Sequence, residues 1–505
     1  MSLRLKNRPE INGLRALAVL SVVIYHAKIN YNGHDLLSGG FVGVDIFFVI
    51  SGYLISSLIF KEIKKNNKLN IYNFYLRRSR RILPALFFVV SASYIFFSPI
   101  LIYTPLIEFS ESAISSILFF SNIYFYLTSI VYGDPGGWFK PLLNTWSLSV
   151  EEQFYLIFPL LTAFLFKFFN KYKLNVLVFL WLSSFIISIK LSNTDNSQNF
   201  YMIYTRFWEL LSGIILSYLQ FFNKKFSQLK LPDHYHFLGL IMIIFSIFFY
   251  NDNLNFPSFY AVLPVAGTII LLINSKKYTF EKIFSIKPLI IIGLFSYSLY
   301  LWHYPIFTFF RTLYPYNVPL HSKILSVLLI TFFTYVSFKF IENRFRYFEN
   351  SSNKLFFSFI ISLLLIVFSF HLFIKNSNYF KDKWIIEGYN LDNLLLSKKW
   401  KSWEDQNLSY SFQSNGLSNT LIVGNSHGVD TYKILSFNDR FKNQTNLAFF
   451  SGGQVECFYN FIVEIEKDCK IDNKKESIEA YDNSNIILLS TKWYPKDLEI
   501  IEKLI

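Results

Sequence analysis

An α-helical polytopic membrane bundle followed by a partial α/β domain is the fold class that this 505-residue sequence predicts. Hydrophobic residues make up 52% of the chain and charged residues 16%, whereas a soluble domain carries about 25% charged residues. The deficit of charge is uneven, because residues 11–375 are mostly long apolar runs and residues 376–505 have the composition of a soluble domain. We therefore predict a membrane domain at 1–345, a linking transmembrane helix at 346–380 and the α/β domain at 381–505.

Eleven apolar runs are long enough to cross a membrane, since a hydrocarbon core of about 30 Å needs about 20 residues at 1.5 Å per residue. The first run lacks a small-residue cleavage site, so we expect it to be an anchoring helix rather than a cleaved signal peptide. We predict about ten helices in the bundle and one linking helix. The predicted spans are 11–29, 40–60, 82–100, 151–168, 174–191, 203–221, 236–250, 259–274, 288–310, 322–340 and 354–375.

The formal net charge of +14 raises the question of nucleic-acid binding. The basic residues lie, however, in short clusters between apolar runs, at 61–68, 77–81 and 224–230. The positive-inside rule places such clusters in cytoplasmic loops. We therefore interpret the positive charge as a sign of membrane topology and expect no nucleic-acid partner.

A twelfth apolar run, at 108–130, is assigned by the charge of the loops that follow it. If this run crossed the membrane, the basic loops at 167–173, 222–235 and 275–287 would lie on the side opposite the basic N-terminus. If it does not cross, all of them lie inside. The sequence therefore predicts a re-entrant or interfacial segment at 108–130, eleven crossings and an extracytoplasmic tail.

Two ionisable residues, Arg15 and His26, lie within the first predicted span. Ionisable residues inside membrane spans are rare and mark functional sites by default. Eleven positions make close to three helical turns, so both side chains share one face, roughly 16 Å apart along the axis. We predict Arg15 near the cytoplasmic end of the helix and His26 near the outer end.

Acidic side chains are expected near the level of His26. Asp45 lies about two turns into the second span, and Glu151 and Glu152 open the fourth span from the outer side. His303, in the ninth span, also falls in the outer half. Ser149 and Glu152 have the spacing of a helix capping box, which is the structural alternative for one glutamate. The functional reading is that Glu151 or Glu152 orients His26.

Four arginines precede the third span in the segment FYLRRSRRILP, namely Arg77, Arg78, Arg80 and Arg81. A basic cluster that stops translocation would account for them. The alternative is an anion site, because neighbouring guanidinium groups suit phosphate oxygens.

Five ordered motifs make residues 8 to about 345 resemble the membrane acyltransferase-3 family, which includes bacterial O-antigen and peptidoglycan O-acetyltransferases. They are RPEINGLRALAVLSVVIYHA, GGFVGVDIFFVISGYLI, FYLRRSRRILPAL, NTWSLSVEEQFYLIFPL and FSYSLYLWHYPIF. The family's arginine and histidine, ten residues apart, fall on Arg15 and His26. Its basic motif falls on Arg77, Arg78 and Arg81, and its acidic motif on Glu151 and Glu152.

The resemblance implies transfer of an acyl group, expected to be acetyl, from cytoplasmic acetyl-CoA to a cell-surface carbohydrate at the bacterial inner membrane. Arg77, Arg78 and Arg81 would bind the coenzyme A phosphates, and the pantetheine arm would lie beside Arg15. His26 would be a general base or a transient acyl carrier, and no metal is expected. The alternative function is a transporter or flippase for a carbohydrate or lipid precursor, since the same polar set suits proton relay.

The tail contains the segment NTLIVGNSHGVD, in which a strand at 420–423 leads into a tight turn carrying Ser426. Serine on a strand-to-helix turn is a typical nucleophile position. The turn resembles the first block of the SGNH hydrolase-like family, with Asn425 where aspartate is usual, and NIILLSTKW resembles a second core strand. The Asp-x-x-His block of that family does not follow before Ile505, so we expect a truncated domain. Cys457 and Cys469 are either a disulfide pair or two separate thiols.

Overall fold

The computed structural model has two compact units, residues 1–392 and residues 393–505. The residues that it describes are 8–31, 34–129, 137–169, 171–276, 279–315, 318–346, 353–382, 385–386, 389–390, 412, 417–424, 445–451 and 482–490. The division falls at 392/393, whereas the sequence places the boundary at 380/381.

The first unit is helical over most of its described length. Its α-helices are α1 Pro9–Ala27, α2 Gly43–Asn66, α3 Ile71–Phe97, α4 Tyr103–Ile117, α5 Ser121–Ser129, α6 Thr145–Phe168, α7 Lys173–Thr194, α8 Asn196–Tyr201, α9 Ile203–Phe222, α10 Lys224–Ser227, α11 Asp233–Phe249, α12 Phe259–Leu272, α13 Thr279–Phe284, α14 Lys287–Leu313, α15 Leu320–Val336, α16 Asn343–Arg346, α17 Asn353–Asn376 and α18 Asn378–Asp382. Short 3₁₀ turns lie at Gly40–Val42 and Gly137–Phe139, and a π-helical turn at Ser337–Glu342 joins α15 to α16.

Every one of the eleven predicted spans coincides with a helix. Within the described residues, seven helical stretches are long and apolar enough to cross a membrane, and they contain α2, α3, α6, α7, α14, α15 and α17. α11 and α12 are shorter apolar helices. α1 and α9 complete the set, and each carries charged side chains that lower its mean hydropathy. The length and apolar composition of these helices confirm the predicted helical class of the membrane bundle.

The run at 108–130 does not form one helix. It is divided between α4 and α5, and the helical conformation is interrupted at Phe119, whose φ of 58° lies in the left-handed region. Neither helix, of 15 and 9 residues, has the about 20 residues that a crossing requires. The break accords with a re-entrant or interfacial segment, while the sidedness of the loops stays a prediction.

Close backbone approach positions the two helices that carry His26 and His303. α1 packs along α14, and a Cβ atom added at Gly293 of α14 would lie 1.8 Å from the carbonyl oxygen of Asn12. α2 packs along α9 in the same manner, since a Cβ atom added at Gly52 would overlap the carbonyl oxygen of Leu210. Small residues allow this contact in a bilayer, where helix association depends on packing rather than on exclusion of water.

The described part of the second unit contains a parallel three-stranded sheet. Its strands are Ser418–Gly424, Thr445–Ser451 and Ile486–Ser490, with Ser418–Gly424 in the centre. The first and last of these are the two strands that the sequence predicts. In the first unit, two-residue strand pairs occur at Asn30–Tyr31 with His34–Asp35 and at Ile385–Ile386 with Tyr389–Asn390. The predicted SGNH-like fold stays a prediction, and Cys457 and Cys469 lie outside the described residues.

We expect Gly293→Ala to destabilise the bundle, because the added methyl group overlaps the Asn12 carbonyl and must separate α1 from α14. Overpacking of this kind typically costs about 1–3 kcal/mol. Gly239→Ala is the matched control, since its Cβ would meet the Gly267 carbonyl at 3.0 Å. Thermal unfolding in detergent measures both variants. Equal loss of stability in the two would contradict the close α1–α14 contact.

Candidate active site

Two cavities of several hundred Å³ are lined by described residues of the first unit. The larger, of about 560 Å³, is lined by five arginines and is here called the arginine cavity. The smaller, of about 360 Å³, is lined by His26 and is here called the histidine cavity. Val44 of α2 and Tyr300 of α14 line both. The two cavities are therefore neighbours, separated where these side chains lie.

The arginine cavity carries an excess of positive charge. Its charged lining residues are Arg15, Arg77, Arg78, Arg81, Arg346, Glu62 and Glu151. Arg77 is 64% exposed and lies 3.9 Å from Glu62, whereas Arg15, Arg78 and Arg81 are only partly exposed. Buried Nε of Arg78 has no hydrogen-bond partner in the part of the chain that the structure describes. Convergent guanidinium groups, with the Nε donor of Arg78 still unused, are suited to a multiply charged anion such as a phosphate ester.

The structure brings Arg15 together with the arginines of the FYLRRSRRILP segment. Arg15 projects from α1 and Arg77, Arg78 and Arg81 from α3, so two helices distant in sequence supply one cavity wall. Arg80 does not line the cavity. It donates to Asn353 Oδ1 at 3.0 Å and lies 5.5 Å from the ring centre of Phe356 on α17.

Glu151 and Glu152 do not form the predicted contact with His26. Glu152 pairs with Arg78 at 3.3 Å, and the same guanidinium group stacks 3.7 Å from the ring centre of Tyr155. Glu151 accepts a hydrogen bond from Ser51 and lines the arginine cavity. Glu151 thus lies in the cavity that does not contain His26, and Glu152 pairs with Arg78, which lines that same cavity.

The capping-box alternative is also wrong. α6 begins at Thr145 rather than near Glu151, so Ser149 lies inside the helix. Its hydroxyl group bonds the hydroxyl of Ser121 at 2.7 Å, which joins α6 to α5. Both glutamates are therefore free of a capping role, and Glu151 faces the arginine cavity.

His26 is paired with a second histidine. Its Nδ1 lies 3.1 Å from Nε2 of His303, and Nδ1 of His303 lies 3.2 Å from the carbonyl oxygen of Leu299. The His26 ring also meets Tyr304 edge-on, with ring centres 4.9 Å apart. Arg311 donates to the backbone carbonyl of His26. These contacts fix the C-terminal part of α1 against α14.

Asp45 lies in a buried ion cluster rather than beside His26. Arg206 donates to Asp45 at 2.9 Å and to Glu209 at 2.7 Å, and all three side chains are at most 1% exposed. Arg206 also lines the histidine cavity. Sequence reasoning missed Arg206 and Glu209, although both are ionisable residues inside the span 203–221 and carry the same signal that identified Arg15.

Ser426 lies outside the described residues, so its predicted role in the tail is not tested by the geometry. Among the residues that are described, no group of three or more His, Cys, Asp or Glu side chains is arranged to bind a metal ion.

We expect Arg206→Met to lower the free energy of unfolding by about 3–5 kcal/mol, because it leaves the buried carboxylates of Asp45 and Glu209 without their cation. Arg77→Met is the matched control for stability, since its exposed ion pair with Glu62 contributes at most about 1 kcal/mol. Denaturation followed in detergent measures both variants. If the free energy of unfolding falls no more for Arg206→Met than for Arg77→Met, the cluster does not stabilise the bundle as expected.

Several known proteins are similar to this chain. The O-acetyltransferase OatA of Staphylococcus aureus strain NCTC 8325 / PS 47 is 35% identical over 354 residues, which are 67% of this chain and 57% of that protein. The peptidoglycan O-acetyltransferase OatA of Listeria monocytogenes is 35% identical over 379 residues, which are 69% of this chain and 58% of that protein. A putative O-acetyltransferase of Staphylococcus aureus strain MSSA476 is 34% identical over 360 residues, 68% of this chain and 58% of that protein.

The chain thus spans 57–58% of the length of these curated relatives. No solved structure matches it. The sequence profile of the acyltransferase-3 family, described as an acyltransferase domain, matches residues 8–338. That region contains α1 and α3, whose arginines line the arginine cavity, and the five motifs of the sequence. The chain is a multi-pass membrane protein that belongs to the acyltransferase-3 family.

Proposed function

We propose that this protein transfers an acetyl group from cytoplasmic acetyl-CoA to a hydroxyl group of a cell-surface carbohydrate at the bacterial inner membrane. One observation carries the proposal: an arginine-lined cavity and a histidine-lined cavity share Val44 and Tyr300. An anionic donor and a neutral acceptor could therefore meet at one point while occupying different cavities.

The arginine cavity is the proposed site for the donor. The phosphate groups of coenzyme A bind Arg77, Arg78 and Arg81, and the pantetheine arm extends past Arg15 along α1. Arg15 and His26 are eleven positions apart on one helix face, or roughly 16 Å along the axis. The thioester reaches His26 by passing Val44 and Tyr300. In this topology the arginine cavity opens toward the cytoplasm and the histidine cavity toward the outside.

The histidine cavity is the proposed site for the acceptor. Its aromatic lining includes Tyr25, Trp138 and Phe256, whose faces suit the C–H surfaces of a sugar ring, and Asn196 and Asp252 offer polar contacts. One relative is named for peptidoglycan. We extend that class of acceptor, a cell-wall carbohydrate, to this chain, with O-antigen and exopolysaccharide as the other members of the class.

His26 is the proposed catalytic residue. As the acceptor oxygen attacks the thioester carbonyl, a ring nitrogen of His26 takes the hydroxyl proton. The new C–O bond forms, the C–S bond breaks, and the proton passes to the coenzyme A sulfur. General-base catalysis contributes about 10²- to 10⁴-fold, and positioning in the two cavities supplies the rest. A covalent route, with His26 carrying the acetyl group transiently, uses the same nitrogen.

The tail is proposed to be extracytoplasmic and SGNH-like, with Ser426 as a second acyl acceptor. The carboxyl end of the central strand at Gly424 is where such a fold places its nucleophile. Transfer within the membrane unit does not depend on this serine.

We expect His26→Ala to abolish transfer of label from radiolabelled acetyl-CoA to envelope carbohydrate in membrane vesicles, because it removes the catalytic base. Ser426→Ala, run in parallel, should still form a labelled product, because transfer within the membrane unit does not depend on Ser426. Equal labelling by wild type and His26→Ala would remove His26 from the mechanism. Carbohydrate accumulation in vesicles without any requirement for acyl-CoA would instead favour the transporter or flippase.

We expect Arg81→Gln to raise the KM for acetyl-CoA about 10- to 100-fold, since a hydrogen bond to a charged group contributes about 1.5–3 kcal/mol. The kcat should change much less, because the acetyl group is transferred in the other cavity. Arg80→Gln is the matched control, as Arg80 binds Asn353 outside the cavity. Steady-state kinetics in proteoliposomes compare the two. An equal rise in KM for both would show a general charge effect rather than a donor site.

A further inference from the structure

We propose that His303 is a positioning residue that fixes the tautomer of His26 and leaves Nε2 of His26 as its unprotonated nitrogen. The inference rests on the proposed acyl transfer and deepens it, because it names the atom that receives the hydroxyl proton. It follows from a chain of two hydrogen bonds that begins at the backbone of α14.

The direction of the chain is set by the Leu299 carbonyl. A carbonyl oxygen only accepts hydrogen bonds, so Nδ1 of His303, at 3.2 Å, is the donor. A neutral imidazole has one N–H group, and Nε2 of His303 is therefore an acceptor. Nδ1 of His26, 3.1 Å from that nitrogen, must then donate. The single proton of the His26 ring is thus on Nδ1, and its lone pair is on Nε2.

The charges around the pair favour two neutral rings. Lys28 and Arg311 are the cations that face His26, and the tyrosines beside it are Tyr25 and Tyr304. Asp35 and Asp252 both pair with Lys28, and Asp252 also accepts from Tyr25. A positive charge on either histidine would therefore add to that of Arg311, whose guanidinium group contacts the backbone of His26.

Exposure separates the roles of the two histidines. His26 is partly exposed and lines the histidine cavity, whereas His303 is 0% exposed and does not line it. An acceptor molecule can therefore touch His26 but not His303. His303 acts through His26, in the way that a buried carboxylate orients a catalytic histidine in other enzymes. This role is the one that sequence reasoning assigned to Glu151 or Glu152.

The packing of α1 on α14 keeps the chain of bonds in register. Leu299 and His303 are on the same helix one turn apart, and Gly293 of that helix allows backbone contact with α1. Trp138 and Tyr304 meet the His26 ring edge-on, at 5.9 Å and 4.9 Å between ring centres. The ring is confined on several sides, and this packing holds its Nδ1 toward Nε2 of His303.

Two substitutions separate positioning from simple packing. His303→Gln can place its side-chain oxygen near the position of Nε2 and accept from His26, whereas His303→Leu fills space but accepts nothing. With the full chain in proteoliposomes, we expect His303→Leu to lower kcat about 10- to 100-fold, within the range of general-base catalysis, and to leave the KM for acetyl-CoA unchanged. His303→Gln should recover most of the lost kcat. Equal impairment of the two variants, or an unimpaired His303→Leu, would overturn the proposal.

A second readout does not require the donor. Diethyl pyrocarbonate acylates the free lone pair of neutral imidazole, and peptide mass spectrometry locates the adduct. Without acetyl-CoA, we expect fast modification of His26 in wild type and His303→Gln and slower modification in His303→Leu. Equal rates in wild type and His303→Leu would overturn the tautomer assignment. If the modification rates follow this pattern but acetyl-CoA does not support transfer by the wild-type protein, the proposed donor is overturned and the pairing of His26 with His303 stands.

Discussion

The contact of Arg206 with Asp45 and Glu209 joins α2 to α9 inside the bundle, where all three side chains are at most 1% exposed. An arginine in this position is tolerable only because two carboxylates surround it, and removal of one partner leaves an uncompensated charge. α2 is thereby fixed along its length, with Gly52 against the α9 backbone. Because α2 also contributes Val44 to both cavities, this buried cluster determines where the two cavities meet.

Charge is divided between the two cavities in a way that suits a two-substrate reaction. Glu151 and Glu152, which could have balanced a histidine, are engaged by Ser51 and Arg78 on the arginine side. The histidine side contains a neutral pair in its place, His26 with His303. A neutral base suits a hydroxyl acceptor, and a cationic cavity suits phosphate groups.

Much of the fold could be predicted from the sequence, because membrane spans are recognised from local composition alone. The predicted grouping of Arg15 with the arginines of α3 agrees with the cavity lining, since the positive-inside rule fixes their level in the membrane. The depth of a residue in the membrane does not determine which residue its side chain contacts, however. Glu151 and His26 could both be assigned to the outer half, but which helix faces which depends on the packing of glycine and aromatic side chains, and no local pattern encodes that.

The sequence by itself determined the helical class, the eleven apolar helices, two strands of the tail and the residue types of the site, because hydrophobic length and motif order are properties of the linear chain. Only the tertiary structure decided the partners. It assigned Asp45 to Arg206, Glu152 to Arg78 and His26 to His303. The physical reason is that buried polar groups must find partners inside the bundle, and the nearest suitable donor or acceptor is set by the crossing of helices far apart in sequence.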